Sequence, residues 1–205
     1  MARFFSFDGI DGVGKSTQLN LFCQWLEQQG QRVVQCRDPG STPLGEEVRK
    51  LLLHSDDATP IAPRAEMLLY MAARAQLVDQ VVKPALASGA CVVSDRFLLA
   101  NIVYQGHAGG LDVETVRRVG RTATDGVQPD CTFVLDMDPV AALQRVDRPL
   151  DRMEQRGDAY REQLRQGFLA EAKHMGPSTY VVDAARPIEA IQADLQRIAV
   201  GFLAS

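Results

Sequence analysis

The strongest constraint in this chain is a run near its N-terminus, Gly9-Ile10-Asp11-Gly12-Val13-Gly14-Lys15-Ser16, which fits the pattern GxxxxGK[ST]. Its glycines let the backbone curl without Cβ clashes, so that successive N–H groups point inward around an anion. The stretch before it, Arg3–Asp8, reads as a strand. The stretch after it, Lys15–Gln29, reads as a helix, with Leu19, Phe22, Cys23 and Leu26 on one face and Gly30 just past the end. A helix beginning at Lys15 aims the positive end of its dipole at the same anion. In such a loop the residues Gly9 to Thr17 wrap phosphates, Lys15 reaches the β- and γ-phosphates, and the Ser16 hydroxyl ligates Mg2+. The motif therefore calls for a nucleoside triphosphate, without saying what is done with it.

Short apolar runs continue to alternate with amphipathic stretches. Further strands are expected at Arg32–Arg37, Ala90–Asp95, Cys131–Asp136 and Thr179–Asp183. Helices are expected at Leu44–Leu53, Arg64–Ser88 (kinked or shortened by Pro84), Asp112–Asp125, Pro139–Val146, Ala159–His174 and Pro187–Leu203. The pattern predicts an α/β fold, a five-stranded parallel sheet with helices on both faces, whose ligands bind at the carboxyl ends of the strands. At 205 residues the chain is expected to be a single domain, 1–205. A hydrophobic fraction of 46% excludes a disordered or collagen-like chain, and a net charge of −4 argues against a nucleic-acid or membrane-surface protein. No apolar run reaches the ~18–20 residues of a membrane span, and no signal-peptide core is visible, so the expected compartment is the cytoplasm. Cys23, Cys36, Cys91 and Cys131 each sit in an apolar segment and are expected to be buried thiols. No NKxD segment is present, which disfavours a signalling GTPase, and the chain is short for a mechanical ATPase. The balance shifts toward a small phosphotransferase.

Several residue groups then stand at strand ends. Arg37, closing the second strand, could hold an anionic acceptor or belong to a Pro-Gly turn. Tyr70 and Arg74, four apart on one helix face, could stack on a base and bond its edge, or form an ordinary interface. Asp95 is placed to act on Mg2+ or its water shell, and Arg96 to grip a phosphate. Asn101 and Gln105 are again four apart and offer amide donors and acceptors to a base edge.

At this point the chain resembles the bacterial thymidylate kinases, through segments in order: FDGIDGVGKST, CRDPGSTPL, MLLYMAARAQLV, KPAL.SG..VVSDRF, VYQG, QPD.TFVLD, LDRMEQ and VVDA..P, from about residue 4 to 190. The resemblance implies a P-loop kinase fold with a short lid at about 147–158, and phosphorylation of dTMP by ATP with Mg2+. It implies that Arg37 and Arg96 hold the dTMP phosphate, with Asp11 close to it and to the sugar. Tyr70 stands where the family usually stacks a phenylalanine on thymine. Arg74 would bond thymine O4, Asn101 and Gln105 would read the rest of the base, and Tyr104 would crowd the sugar 2′ position. Adenine contacts would come from near Arg145 and from 184–187. The family is usually a homodimer, and the Arg64–Ser88 helix offers a second apolar face with Met67, Met71 and Val78.

Departures from the family pattern are also visible. Asp8 and Asp38 stand where the family usually has Glu, Ser41 replaces a glycine, Ala100 stands where a hydroxyl is frequent, and GHAGG at 106–110 is less glycine-rich. The P-loop carries no arginine, so Lys15 is its only cation, and phosphoryl transfer needs its spread negative charge met. The lid should supply that charge, with Arg152 matching the family's lid arginine and Arg148 second. The alternatives are a kinase for another nucleoside or monophosphate, or a nucleotide-binding module without turnover.

Overall fold

A computed structural model of the chain describes residues 2–54, 60–147 and 156–203. Five strands, β1 (Phe4–Asp8), β2 (Val33–Arg37), β3 (Cys91–Asp95), β4 (Cys131–Asp136) and β5 (Thr179–Asp183), form one parallel sheet in the order β2-β3-β1-β4-β5. Each strand ends where the sequence places its end. β1 is central and buried along its whole length, as an apolar run between two helical layers must be. Its alternation splits the aromatic residues between the two layers. Phe5 and Phe7 meet Phe22 edge-on at 5.1 and 5.4 Å. On the opposite face Phe4 meets Phe97 at 4.9 Å.

Helix α1 (Lys15–Gln28) and α9 (Ile188–Leu203) cover the Phe5 face. They are tied together by Gln192, whose side-chain amide donates to the Gln18 carbonyl and Oε1 at 2.6 and 2.7 Å. The other face carries α3 (Pro63–Leu77), α4 (Lys83–Ala87), α5 (Leu98–Asn101), α6 (Val113–Thr124) and α8 (Asp158–Met175), with α2 (Pro43–His54) packed on α3 and α7 (Pro139–Gln144) beside the phosphate loop. Cys23, Cys36, Cys91 and Cys131 are all buried thiols. None of the described helices is long and apolar enough to cross a membrane.

Three features depart from the sequence expectation. The single helix expected over Arg64–Ser88 is α3, a π turn at Val78–Val82, and then α4. Pro84 has no N–H to give to the residue four back, and its ring would strike that carbonyl. The wider π turn, with Lys83 N–H bonded to Val78 O, lets the helix pass this point without breaking. Residues 98–107, where periodicity offers no separate element, form α5 followed by a second π turn at Ile102–His107. Finally, Met67, Met71 and Val78 do not form an outer face for a partner subunit. They are 5%, 3% and 1% exposed, Met67 and Met71 packing on Ile102 and Val116, and Val78 joining the cluster of Phe4. The exposed large apolar residue of α3 is Leu68.

The carboxyl edge of the sheet is a row of aspartates. Asp8, Asp95, Asp136 and Asp183 close β1, β3, β4 and β5, and Asp38 follows β2 directly. Most are met by arginine: Asp38 by Arg74 at 2.5 Å, Asp136 by Arg165 at 2.8 Å, and Asp183 by Arg186 at 3.8 Å.

Candidate active site

The phosphate loop leaves β1 and enters α1 at Gly14, whose φ of 90° lies in the left-handed region. No side chain caps that helix and no acid occupies its first turn, so its first N–H groups face an anion site. Gly12 is required twice over. Its φ is 86°, and a Cβ there would lie 2.0 Å from the Ala142 carbonyl of α7. The loop is thereby seated directly against α7.

Lys15 is buried under the loop it serves. Its ammonium donates to the carbonyls of Ile10 and Gly9 at 2.7 and 3.1 Å and lies 3.5 Å from Asp11. Burial lowers its pKa, Arg96 adds to that, and Asp11 opposes it. The Ser16 hydroxyl is 3.5 Å from Asp95 Oδ2. One hydroxyl and one carboxylate, both facing the phosphate cleft, are the hard oxygen donors that suit Mg2+ alongside phosphates and water.

Arg96, one residue past β3, has φ 66°, a conformation that costs a non-glycine residue roughly 1–2 kcal/mol. Its side chain is held on every side. Nη1 donates to Gly9 O at 3.1 Å, Nη2 to Asp11 Oδ1 at 2.6 Å and to the Tyr104 hydroxyl at 3.2 Å, and the guanidinium lies 5.0 Å from the Tyr104 ring centre. Tyr104 in turn donates to Asp11 Oδ2 at 3.0 Å. Burial works against a charged Asp11, but Arg96 and Lys15 outweigh it and hold the carboxyl well below the usual carboxylate range.

Two cavities meet at this cluster. One, of about 100 Å³, is bordered by Tyr70, Arg74, Ala100, Asn101, Tyr104 and Gln105, with Pro39 and Leu53 closing it. The other is a cleft of about 870 Å³ along Gly12–Gln18, with Arg145, Arg186, Pro187 and Ile188 at its far side. Asp11, Asp38, Arg49 and Arg96 line both. Arg145 reaches the loop after β5, donating to Ala184 O at 3.1 Å. Gly9 and Ile10 lie beneath the loop and contribute carbonyls rather than cleft surface.

Within the smaller cavity Arg74 is 1% exposed. It donates to Asp38 at 2.5 Å, to Asn101 Oδ1 at 2.6 Å, to Met71 Sδ at 3.2 Å and to Phe97 O at 3.3 Å. Most of its fork is thus spent on the protein, which fixes its plane against the cavity. Arg37 stands apart. It lines only the larger cleft, is half-exposed, and is engaged by Glu46 at 2.7 Å. Arg148 and Arg152 lie outside the described residues.

Arg49, at the boundary between the cavities, is a residue the sequence reading overlooks. Its Nη1 donates to Pro39 O at 3.0 Å. A signal was present: Arg49 sits beside the buried stripe of Val48 and Leu52, not on the outer face with Glu47 and Lys50.

A parallel α/β sheet with an anion-cradling loop after its central strand, and a second cavity opening onto the same loop, defines a P-loop phosphotransferase. The family model for thymidylate kinase matches residues 7–195. The chain is 44% identical over 196 residues to the thymidylate kinase of Rhodopirellula baltica, covering 96% of this chain and 79% of that protein. It is 44% identical over 195 residues to that of Bifidobacterium longum, covering 94% and 95%. A crystal structure of thymidylate kinase from Ehrlichia chaffeensis superposes with a TM-score of 0.79 at 27% identity, over 97% of this chain and 98% of that one. The chain belongs to the thymidylate kinase family and is a nucleoside monophosphate kinase.

Proposed function

We propose that this enzyme transfers the γ-phosphoryl group of ATP to dTMP, giving dTDP for dTTP synthesis. The observation that carries the reading is the junction of two unlike cavities at Asp11, Asp38, Arg49 and Arg96. The smaller offers an aromatic ring, amides and a guanidinium to a base, and the larger offers a phosphate loop. An oxygen of the acceptor phosphate attacks the γ-phosphorus directly, and the bond to the β–γ bridging oxygen breaks, with no covalent enzyme intermediate. Arg96, held rigid by Asp11 and Gly9, faces the point where the two phosphate groups meet, with Arg49 beside it; Arg37 reaches it only by leaving Glu46. Tyr104, pinned by Asp11 and Arg96, forms a fixed wall against the sugar, which supports preference for a 2′-deoxy acceptor. The ATP phosphates are held by the loop Gly9–Thr17 with Lys15, and the adenine end lies by Arg145 and Arg186–Ile188. Ser16 and Asp95 would hold Mg2+, which when bound neutralises phosphate charge. Arg152, with Arg148 in support, supplies the arginine charge that the loop lacks. Cytoplasmic location and assembly as a homodimer belong to the same reading, the latter checked by light scattering.

The test is an acceptor panel of dTMP, dUMP, dCMP, dGMP and thymidine with ATP and Mg2+, run on wild type and Arg152→Ala. We expect dTMP to be the preferred acceptor and thymidine to be inert. Arg152→Ala should lose about 10²-fold in kcat, less than the ~10³–10⁵ of arginines in related chemistry because Arg148 substitutes in part. Its dTMP Kd by calorimetry should stay put, since an interaction made in the transition state lowers kcat and kcat/KM together. An unchanged kcat would move the catalytic charge elsewhere, and no turnover of dTMP by wild type would sink the reading.

A further inference from the structure

Glu66 does not line either cavity, yet it ends a chain of hydrogen bonds that runs along the wall of the smaller one. Arg74 Nη1 donates to Asn101 Oδ1 at 2.6 Å, Asn101 Nδ2 donates to Gln105 Oε1 at 2.6 Å, and Gln105 Nε2 donates to Glu66 Oε1 at 3.0 Å. All four side chains are at least 95% buried. Beyond Glu66, Arg156 Nη2 lies 3.6 Å from its other carboxylate oxygen.

The two ends of this relay have fixed chemistry. A guanidinium can only donate and an ionised carboxylate can only accept, whereas each amide between them could point either way. With a donor at one end and an acceptor at the other, only one arrangement satisfies every bond: both amides aligned head to tail, oxygen toward Arg74 and nitrogen toward Glu66. A flipped amide would set nitrogen against nitrogen or oxygen against oxygen in a buried site, where an unmade hydrogen bond is costly.

We infer that Glu66 is a positioning residue that sets base specificity, by locking the amides of Gln105 and Asn101 so that the cavity presents a donor from Arg74 next to an acceptor from Asn101 Oδ1. The inference rests on the acceptor reading above. A thymine or uracil edge has an acceptor, O4, beside a donor, N3–H, and fits that order. A cytosine edge has the reverse, a donor amine beside the acceptor N3, and meets a donor with a donor and an acceptor with an acceptor. Neither end of the relay reads the thymine methyl, so it does not separate dTMP from dUMP.

The isosteric change Glu66→Gln removes the acceptor-only end, so that reversing the amide frame leaves one unmade bond, at Arg74, instead of two. We expect the dTMP-over-dCMP binding ratio, measured by calorimetry on the ligand-free enzyme, to fall about tenfold, the worth of one hydrogen bond. The dTMP-over-dUMP ratio should not move. In the double variant Glu66→Gln with Gln105→Glu, the carboxylate sits one link nearer Asn101 and accepts from both neighbours. It restores the orientation of Asn101 and should regain most of the lost discrimination. Three results overturn the inference: an unchanged dTMP-over-dCMP ratio in Glu66→Gln, an equal fall in both ratios, or a double variant no better than the single one. A wild type that binds dTMP with this preference but transfers no phosphate supports the relay and overturns only the proposed reaction.

Discussion

Asp8 ends β1 with no exposed surface, its Oδ2 accepting from the Ser6 hydroxyl at 2.7 Å and its Oδ1 without a hydrogen-bond partner among the described residues. Burial pushes its carboxyl up to about 6, against the Ser6 bond and the pull of Arg96 and Lys15. Below the unfolded value of 3.8, folded and unfolded chains both hold the proton. Between 3.8 and about 6 only the folded chain keeps it, so stability from this group is lost as the pH rises through that window. At neutral pH the burden is roughly 3 kcal/mol by the free energy per pH unit. Asp8→Asn keeps an acceptor for Ser6 and removes the ionisation. In urea unfolding it should gain up to ~3 kcal/mol over wild type at pH 8, a gain that fades toward pH 4. An equal difference at every pH would assign the effect to packing. A second departure from the family pattern also acquires a physical meaning. Ser41 stands in place of a glycine and has φ 61°, the conformation for which glycine is suited. Its hydroxyl accepts from Arg37 N–H at 2.9 Å, which offsets part of the strain.

At the scale of elements, α7 shows how a short helix carries the donor side of the site. Asp138 caps it, its carboxylate accepting from Val140 and Ala141 N–H at 3.0 Å each, with Pro139 in the first turn. The same helix presents the Ala142 carbonyl to Gly12 and ends at Arg145 in the larger cleft. Asp138→Ala should therefore cost about 1 kcal/mol in urea unfolding. It should also raise the KM for ATP several-fold while leaving that for dTMP close to wild type; equal changes in both would show that α7 serves general stability only. Helices and strands of this kind were legible in the sequence because their signals are local: apolar period, caps, a proline at the start. The two π turns were not, because they answer to tertiary demands. One accommodates the ring of Pro84. The other keeps Tyr104 on Arg96 and Asp11 while Asn101 and Gln105 remain bonded to each other. Arg49 and Glu66 escaped for a related reason. Their helices advertise an apolar stripe, and whether a charged neighbour of that stripe reaches a site depends on what packs opposite.

At the scale of the whole molecule, the parallel sheet collects side chains from distant parts of the sequence at one edge, and all five strands close in or beside an aspartate. The arginines that answer Asp38, Asp136 and Asp183, and the Arg96–Asp11 contact, cancel this charge in place within a chain of net charge −4. Pairing of this kind limits the positive field that the edge projects into solvent. Capture of a polyanion should then be governed by collision and fit, not by long-range attraction. The association rate of dTMP, followed by stopped-flow fluorescence of an analogue, should change less than about threefold between 50 and 300 mM salt, where a steered encounter falls steeply with screening. For a cell this means that capture of the nucleotide tracks its concentration and is nearly indifferent to the ionic strength of the medium, because the charges that grip the substrate are felt only after it has arrived.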